Sequence, residues 1–353
     1  MQALVLVGGF GTRLRPLTLT RPKQMLPVGG RSMLERVVDG LRRHGVTEVI
    51  LSMGYRPDAF ERALPDGTCA GVPLRFVVED EPLGTAGAIA FAASEAGVDD
   101  TFLVLNGDII SDFDLTALVG FHREASAEAT IALKQVDDPS RFGVVVTDDV
   151  GRVERFVEKP PRDEAPSDLI NAGAYVVEPT LLDRVPAGRA VSIEREVFPA
   201  VVADGALRAR ADDAYWLDCG TPEALLRANA DLLSGVRDDV LGVGAISGTV
   251  AGGATVESAW IGAGAIVHDG AKVIDSVLFD GAVVAAGATV VRSVVGEGAT
   301  VGAGAQVRAL PVEHGAGLDL DPVADDRERP DLGTGADGGA LTDERSLDGG
   351  TRL

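Results

Sequence analysis

The chain has 353 residues, 46% of them hydrophobic, and a formal net charge of −22. A balance this acidic disfavours nucleic acid as a partner, because phosphate backbones call for basic patches. No run of about 18 apolar residues offers a membrane span, and the N-terminus lacks the charged-then-apolar layout of a secretory signal, so the expected setting is cytoplasmic, away from membranes. Cys69 and Cys219 have no metal-ligand spacing and read as reduced thiols, and the four scattered histidines suggest no zinc site.

The first element is an apolar run, Ala3 to Val7, that reads as a buried strand. Behind it comes "VGGFGTRLRPLTLTRPKQMLPVGG", Val7 to Gly30, where three glycines are followed by Arg13, Arg15, Arg21 and Lys23. Glycines directly after a strand let backbone N–H groups approach a ligand, and the cations make that ligand an anion. Two familiar loops fail on spacing. The P-loop pattern is absent, and the dinucleotide fingerprint stops at Gly9-Phe10-Gly11 because Leu14 occupies the third glycine position. The plainer reading is a strand-to-helix turn with surface arginines.

Further along, Val49–Met53, Leu74–Val78 and Thr101–Leu105 read as strands, and Leu34, Val37, Val38 and Leu41 share one helical face. Strands alternating with helices over about 235 residues predict an α/β unit, Rossmann-like, with a mainly parallel sheet covered on both faces. Ligands of such sheets bind beyond the carboxyl ends of the strands. The glycine loop and Asn106-Gly107-Asp108 both lie at such ends.

Near residue 240 the texture changes to Gly, Ala and Val. Apolar residues recur at Ile261, Val267 and Val273, at Leu278, Val284 and Val290, and at Val295, Val301 and Val307, with Gly244, Val250 and Val256 as an earlier, weaker trio. Steps of six within a trio and five between trios give a 17-residue period, the signature of a triangular parallel β-helix. Residues 311–353 hold eleven Asp/Glu against four Arg and no Phe, Trp or Tyr. Such a segment buries too little to offset the entropy of ordering it, so an acidic, disordered tail is expected.

Four segments carry candidate chemistry. "EPLGTAGA" enters a helix through Gly84 and Thr85, small residues that would admit a flat base, although a helix N-cap explains Thr85 equally. "LNGDI" ends a strand with Asp108, "RFVEKP" ends another with Glu158 and Lys159, and "WLDCGTP" places Asp218 before a helix starting near Pro222. Singly these read as a turn residue, a solvated strand end and a helix cap. Together they supply nucleotidyl transfer: two carboxylates to share a Mg²⁺ ion, and cations to neutralise charge at a phosphorus under in-line attack. Lysine is scarce here, four residues against 28 arginines, which singles out Lys23 and Lys159.

The strings "GGFGTRLRPLTLTRPKQMLPV", "EPLGTAGAI", "LNGDI", "RFGVVV", "RVERFVEKP", "INAGAYV", "SIEREVFP" and "WLDCGTP", in this order, resemble the sugar-1-phosphate nucleotidylyltransferases, most closely the GDP-mannose pyrophosphorylases, or mannose-1-phosphate guanylyltransferases. The resemblance covers about residues 1–235 and implies a catalytic domain there, followed by a left-handed parallel β-helix of hexapeptide repeats at 240–310. The acidic tail has no counterpart in it. The implied reaction joins GTP to mannose-1-phosphate, giving GDP-mannose and pyrophosphate, in a homo-oligomer that uses Mg²⁺. Leu6 falls among the implied nucleotide contacts, and Gly8, Gly9, Gly11 and Thr12 would wrap the triphosphate, polarised by Arg13 and Lys23. Gly84 and Thr85 would line the base, and Asp108 and Asp218 would hold the metal. Lys159 would grip the sugar phosphate, with Gly143, Glu158 and Asn171 on the sugar. Arg15 and Arg21 would touch the ligand or brace the loop through salt bridges.

Three other readings have distinct signatures. A silent regulatory relative would lack the metal and phosphate ligands, yet Arg13, Lys23, Asp108, Lys159 and Asp218 are all present. An acyltransferase would need a longer β-helix and a placed histidine base. Thymidylyl- and uridylyltransferases of glucose-1-phosphate are nearer rivals, as are heptose-1-phosphate guanylyltransferases; the glutamine-rich base loop usual in the thymidylyltransferases is absent.

Overall fold

The computed structural model describes residues 1–54, 57–237, 246–309 and 311–312. In chain order, β1 (Gln2–Leu6) leads into the glycine loop, and the hairpin of β2 (Pro27–Val28) and β3 (Arg31–Ser32) precedes α1 (Met33–Arg43). Next come β4 (Glu48–Met53), α2 (Pro57–Ala63), β5 (Thr68–Cys69), β6 (Val72–Val78) and α3 (Gly84–Ala96). After them run β7 (Phe102–Asn106), β8 (Ile109–Ser111), α4 (Leu115–Glu124), β9 (Ala129–Gln135), β10 (Gly143–Thr147) and β11 (Val153–Glu158). The unit closes with β12 (Leu169–Val177), α5 (Phe198–Ala203), β13 (Leu207–Ala211), β14 (Trp216–Asp218) and α6 (Pro222–Leu233).

The main sheet runs β11-β10-β12-β7-β1-β4-β6-β5, with β9 pairing β12 and β13. Its strands alternate sides as the two-residue period requires. Leu4 enters one core cluster, while Ala3 and Val5 enter the other, on the opposite face. The strands β7, β1, β4 and β6 are mutually parallel. Antiparallel pairing enters where β12 joins β7, β9 and β10. The chain leaves β1 toward β4 and β6, then returns to place β7 on β1's other side. That reversal makes a switch point between β1 and β7, where a crevice opens beyond the strand ends. Leu6 pairs with Asn106 there, so the glycine loop and the turn holding Asp108 emerge side by side.

The turn is forced by close approach. A β-carbon on Gly107 would stand 2.9 Å from Val7 Cγ1 and 3.0 Å from the Leu6 carbonyl oxygen. Only glycine lets β7 pass beneath the loop at this distance.

Three parallel sheets, each of four short strands among the described residues, form the triangular β-helix. Register advances by 17, with Thr249 opposite Ile266, Ile266 opposite Val283 and Val283 opposite Thr300. All nine positions of the three stronger trios are at most 1% exposed, so the spacing identified the inward residue of each side. Two corners use left-handed glycines, as at Gly264, Gly281 and Gly298 and at Gly270, Gly287 and Gly304, while the third places Ser258, Asp275, Arg292 and Ala309 at positive φ. The last described strand, Pro311–Val312, pairs with Val294–Val295 and carries the helix two residues past its expected limit of 310. The rest of the acidic tail lies outside the described residues, as does Gly244.

The β-helix also meets the first unit. Leu14, Leu17 and Leu26 of the glycine loop share one apolar cluster with Cys219, Leu225, Trp260, Val277, Phe279 and Val294. Arg21 forms an ion pair with Glu297 across this junction, so the bracing reading describes Arg21. Arg15 is exposed.

Candidate active site

One end of the candidate site is built from the loop after β1. Gly9 and Gly11 take φ of +96° and +58°, which glycine alone adopts without strain. A β-carbon at Gly8 or Gly9 would meet nothing within 4 Å, so the space over this backbone is open to a ligand. The loop is held from behind, where Thr18 Oγ1 donates to the Gly11 carbonyl at 2.8 Å and Leu14 N donates to it at 2.9 Å. Thr12 and Arg13 open a short 3₁₀ turn at its exit.

Asp108 and Asp218 come together through the pairing of β8 with β14, which sets Asp218 opposite Ile109. The amide of Cys219 donates to the Asp108 carbonyl at 3.0 Å, and that of Gly220 donates to Asp218 Oδ1 at 2.8 Å. Asp218 is therefore a strand residue. The cap of α6 is Thr221, whose hydroxyl accepts from Ala224 N. Lys23 forms an ion pair with Asp108, and Arg13 Nη2 would stand 2.8 Å from a β-carbon on Gly220. Burial pushes the Asp218 carboxyl above its ordinary range, the Asp108 charge adds to this, and Gly220, Arg13 and Lys23 oppose it. A buried carboxylate made costlier to ionise by a neighbouring one is a seat for a cation. Among the described residues no group of three His, Cys, Asp or Glu forms a complete metal cage. A hard divalent ion held by two carboxylates, with phosphate and water oxygens completing its shell, fits this donor set.

A cleft of about 480 Å³ continues from this pair, and Arg13, Gly143, Glu158, Lys159, Asn171 and Asp218 all line it. Gly143 pairs with Glu158 across β10 and β11. A β-carbon on it would lie 2.5 Å from Phe156 Cζ and 3.1 Å from Glu158 Oε2, so glycine is needed to leave that carboxylate in place. Lys159 sits at φ +50°, where its N–H donates to the Phe142 carbonyl at 3.0 Å and its Nζ lies 3.1 Å from Glu158 Oε1. Asn171 occupies a register shift of β12. Its Nδ2 donates to the Tyr175 hydroxyl at 3.0 Å, and its Oδ1 accepts from Gly173 N at 3.0 Å.

The base-side residues behave differently. Gly84 opens α3 at φ +71°, where a β-carbon would lie 2.6 Å from the Val191 carbonyl oxygen. Thr85 is the second residue of α3; the N-cap is Leu83, which makes no side-chain cap bond. The Thr85 hydroxyl donates to Glu194 Oε2 at 2.8 Å and accepts from Ile193 N at 2.9 Å. Glu79, one of the acids near the base loop, uses Oε2 to accept from Leu83 N at 2.9 Å.

The sequence reading passed over Arg141, Glu194 and Trp216, which line the same cleft. Arg141 stands two residues before Gly143, and Glu194 lies inside "SIEREVFP", so proximity to quoted strings was the available signal. Trp216 is fixed by its Nε1 donating to the Ala172 carbonyl at 2.9 Å and by an edge-on contact with Phe142.

A family model described as nucleotidyl transferase matches residues 2–235. The chain belongs to the nucleotidyl transferase family. A second model, described as the GlmU-like C-terminal hexapeptide, matches residues 241–318, in keeping with the β-helix. Among relatives, the mannose-1-phosphate guanylyltransferase of Mycobacterium tuberculosis is 43% identical over 294 residues, covering 77% of this chain and 81% of that protein. The mannose-1-phosphate guanyltransferase of Aspergillus oryzae is 45% identical over 230 residues, 64% of this chain and 62% of that one. Among solved structures, a putative glucose-1-phosphate thymidylyltransferase from Bacillus anthracis, in complex with a sucrose, aligns with TM-score 0.61 at 27% identity, over 69% of this chain and 97% of that one. HddC from Yersinia pseudotuberculosis complexed with GMP-PN aligns at 0.55 and 28%, over 65% and 97%. Among the described residues, no helix is long and apolar enough to cross a membrane.

Proposed function

We propose that this member of the family transfers a guanylyl group from GTP to mannose-1-phosphate, releasing pyrophosphate and forming GDP-mannose. The observation that carries the reading is that the glycine loop and the Asp108 turn emerge side by side at the switch point of the sheet, and that β14 brings Asp218 beside that turn and into the cleft that Arg13 and Lys159 also line. The identity to a guanylyltransferase over both units names the substrates.

A phosphate oxygen of the sugar phosphate attacks the α-phosphorus of GTP, and the bond to the bridging oxygen of pyrophosphate breaks. The backbone at Leu6, Gly8, Gly9, Gly11 and Thr12 receives the triphosphate, and Arg13 and Lys23 neutralise charge that grows on it. Asp108 and Asp218 would hold a Mg²⁺ ion, which would supply charge neutralisation at the phosphates. Lys159, at the cleft mouth, holds the attacking phosphate in line. Glu158 and Asn171 contact the sugar, and Gly143 leaves room for it. The backbone about Gly84 borders the base. Guanine needs both a carbonyl and a donor edge matched, and an adenine there would leave buried groups unpaired. The β-helix supplies a surface for homo-oligomer formation.

The test is pyrophosphate release from five nucleoside triphosphates against mannose-, glucose- and heptose-1-phosphates. GTP with mannose-1-phosphate should give the highest kcat/KM. Preference for dTTP or UTP overturns the base, and preference for another sugar phosphate overturns the sugar.

A further inference from the structure

We propose that Glu194 is a sugar-binding carboxylate and Thr85 its positioning residue, so that the Thr85 side chain serves the sugar-phosphate half of the reaction. This deepens the reading above and rests on the cleft being the sugar-phosphate site.

Thr85 and Glu194 are 109 residues apart and meet through a hydrogen bond of 2.8 Å. The Ser192 hydroxyl donates to the same oxygen, Oε2, at 2.7 Å. Both bonds fall on one side of the carboxylate, and among the described residues Oε1 receives none. Glu194 lines the cleft together with Glu158 and Asn171. Its charge also reaches the buried Tyr175 hydroxyl, which burial first and Glu194 second push above the ordinary tyrosine range. That hydroxyl accepts from Asn171 Nδ2, so Asn171 by contact and Glu194 by its charge act on the same phenol.

The segment carrying Glu194 is clamped to α3. Val191 N donates to the Leu83 carbonyl at 2.8 Å, Ala86 N donates to the Val191 carbonyl at 2.9 Å, and Ile193 N donates to Thr85 Oγ1. Thr85 thus has its acceptor turned to a backbone and its proton to a carboxylate. Its hydroxyl is committed to the segment that carries Glu194. An ionised carboxylate is a pure acceptor, and the sugar offers hydroxyl donors, so a free Oε1 at the cleft wall takes a charge-assisted hydrogen bond. The donors Thr85 and Ser192 could be satisfied by an amide oxygen as well. Only the other oxygen, Oε1, needs the carboxylate.

That distinction sets the experiment, run on the full chain with GTP and the preferred sugar phosphate. Glu194→Gln keeps an acceptor for Thr85 and Ser192 and puts a donor in place of Oε1. Its KM for sugar phosphate should rise about tenfold or more, as for loss of a charged hydrogen bond, with the KM for GTP within about twofold. Thr85→Val should move the sugar-phosphate KM in the same direction, and Thr85→Ser, which keeps the hydroxyl, should restore it. An unchanged sugar-phosphate KM in Glu194→Gln, or equal shifts in both KM values, overturns the proposal. A rise confined to GTP in Thr85→Val overturns it too and makes Thr85 a base residue. If Glu194→Gln fails to fold, the Thr85 pair decides alone. Should the wild type prefer another sugar phosphate, the substrate named above fails, and the same ratios read with that sugar still judge Glu194.

Discussion

Lys23 and Asp108, 85 positions apart in the chain, form an ion pair at the foot of the glycine loop. The pair joins the glycine loop to one of the two acidic residues that the β8–β14 pairing brings together, with side chains only 16% and 15% exposed. An interaction this sheltered is weakly screened by salt, and its two ends serve different parts of the proposed reaction.

From that geometry, Asp108→Asn and Asp218→Asn should each lower turnover by about 10²–10⁴ while the fold persists. Steady-state kinetics with added Mg²⁺, beside circular dichroism, checks this. Full activity in EDTA, or in either variant, would sink the metal assignment.

Lys23 pairs with Asp108 and Lys159 with Glu158, so the two lysines should separate kinetically. Lys23→Ala should raise the KM for GTP more than that for sugar phosphate, and Lys159→Ala the reverse, since each ammonium acts as a local point charge. Initial-rate matrices over both substrates measure the four constants. Equal effects from both variants on both substrates count against the division.

Two substitutions touching the β-helix should differ sharply. Val284 is fully buried on an inward side, so Val284→Asp places an unpaired charge in the stack and should cost several kcal/mol, about 3–5 on general grounds. Arg21 and Glu297 are partly exposed, with side chains at 30% and 55%, and Glu297→Ala should cost about 1 kcal/mol or less. Thermal melts of both variants give the ordering, and a large loss from Glu297→Ala would show that the bridge matters more than its exposure implies.

Both thiols should be inert in the folded protein. Burial pushes the Cys69 thiol up to about 12, and it pushes Cys219 higher than its ordinary value as well. With folded values raised, the thiols stay protonated at pH 8, and any stability cost from ionising them begins only above the unfolded thiol range, near pH 9. Titration with a thiol reagent at pH 8 should show no fast-reacting group until denaturant is added. A stoichiometric fast phase in native buffer would contradict this.

What could be read beforehand follows from the range of the interactions involved. The inward valines of the β-helix were legible because each side repeats a local rule, as Val267, Val284 and Val301 stack 17 residues apart. The strand β1 and the open loop behind it were legible because apolar run and glycines are adjacent. Glu194 was not legible as a cleft residue, because its place depends on Thr85 and Val191 meeting across the fold. Thr85 itself looked like a cap, since a hydroxyl at a helix start has the same local spelling whether it closes its own helix or reaches a distant carboxylate. Asp218 was similarly ambiguous until β14 paired with β8.

The shared cluster beneath the glycine loop means that the seam visible in the amino-acid composition is not a seam in the energetics. Cutting the chain there would leave Leu14, Leu17, Leu26, Cys219 and Leu225 without Trp260, Val277, Phe279 and Val294. A fragment of residues 1–235 would thus display an oily patch around its own glycine loop, of the kind that draws proteins into aggregates. Anyone grafting this unit onto another scaffold would have to supply a substitute for those four side chains, because the floor beneath that loop belongs to both halves of the molecule.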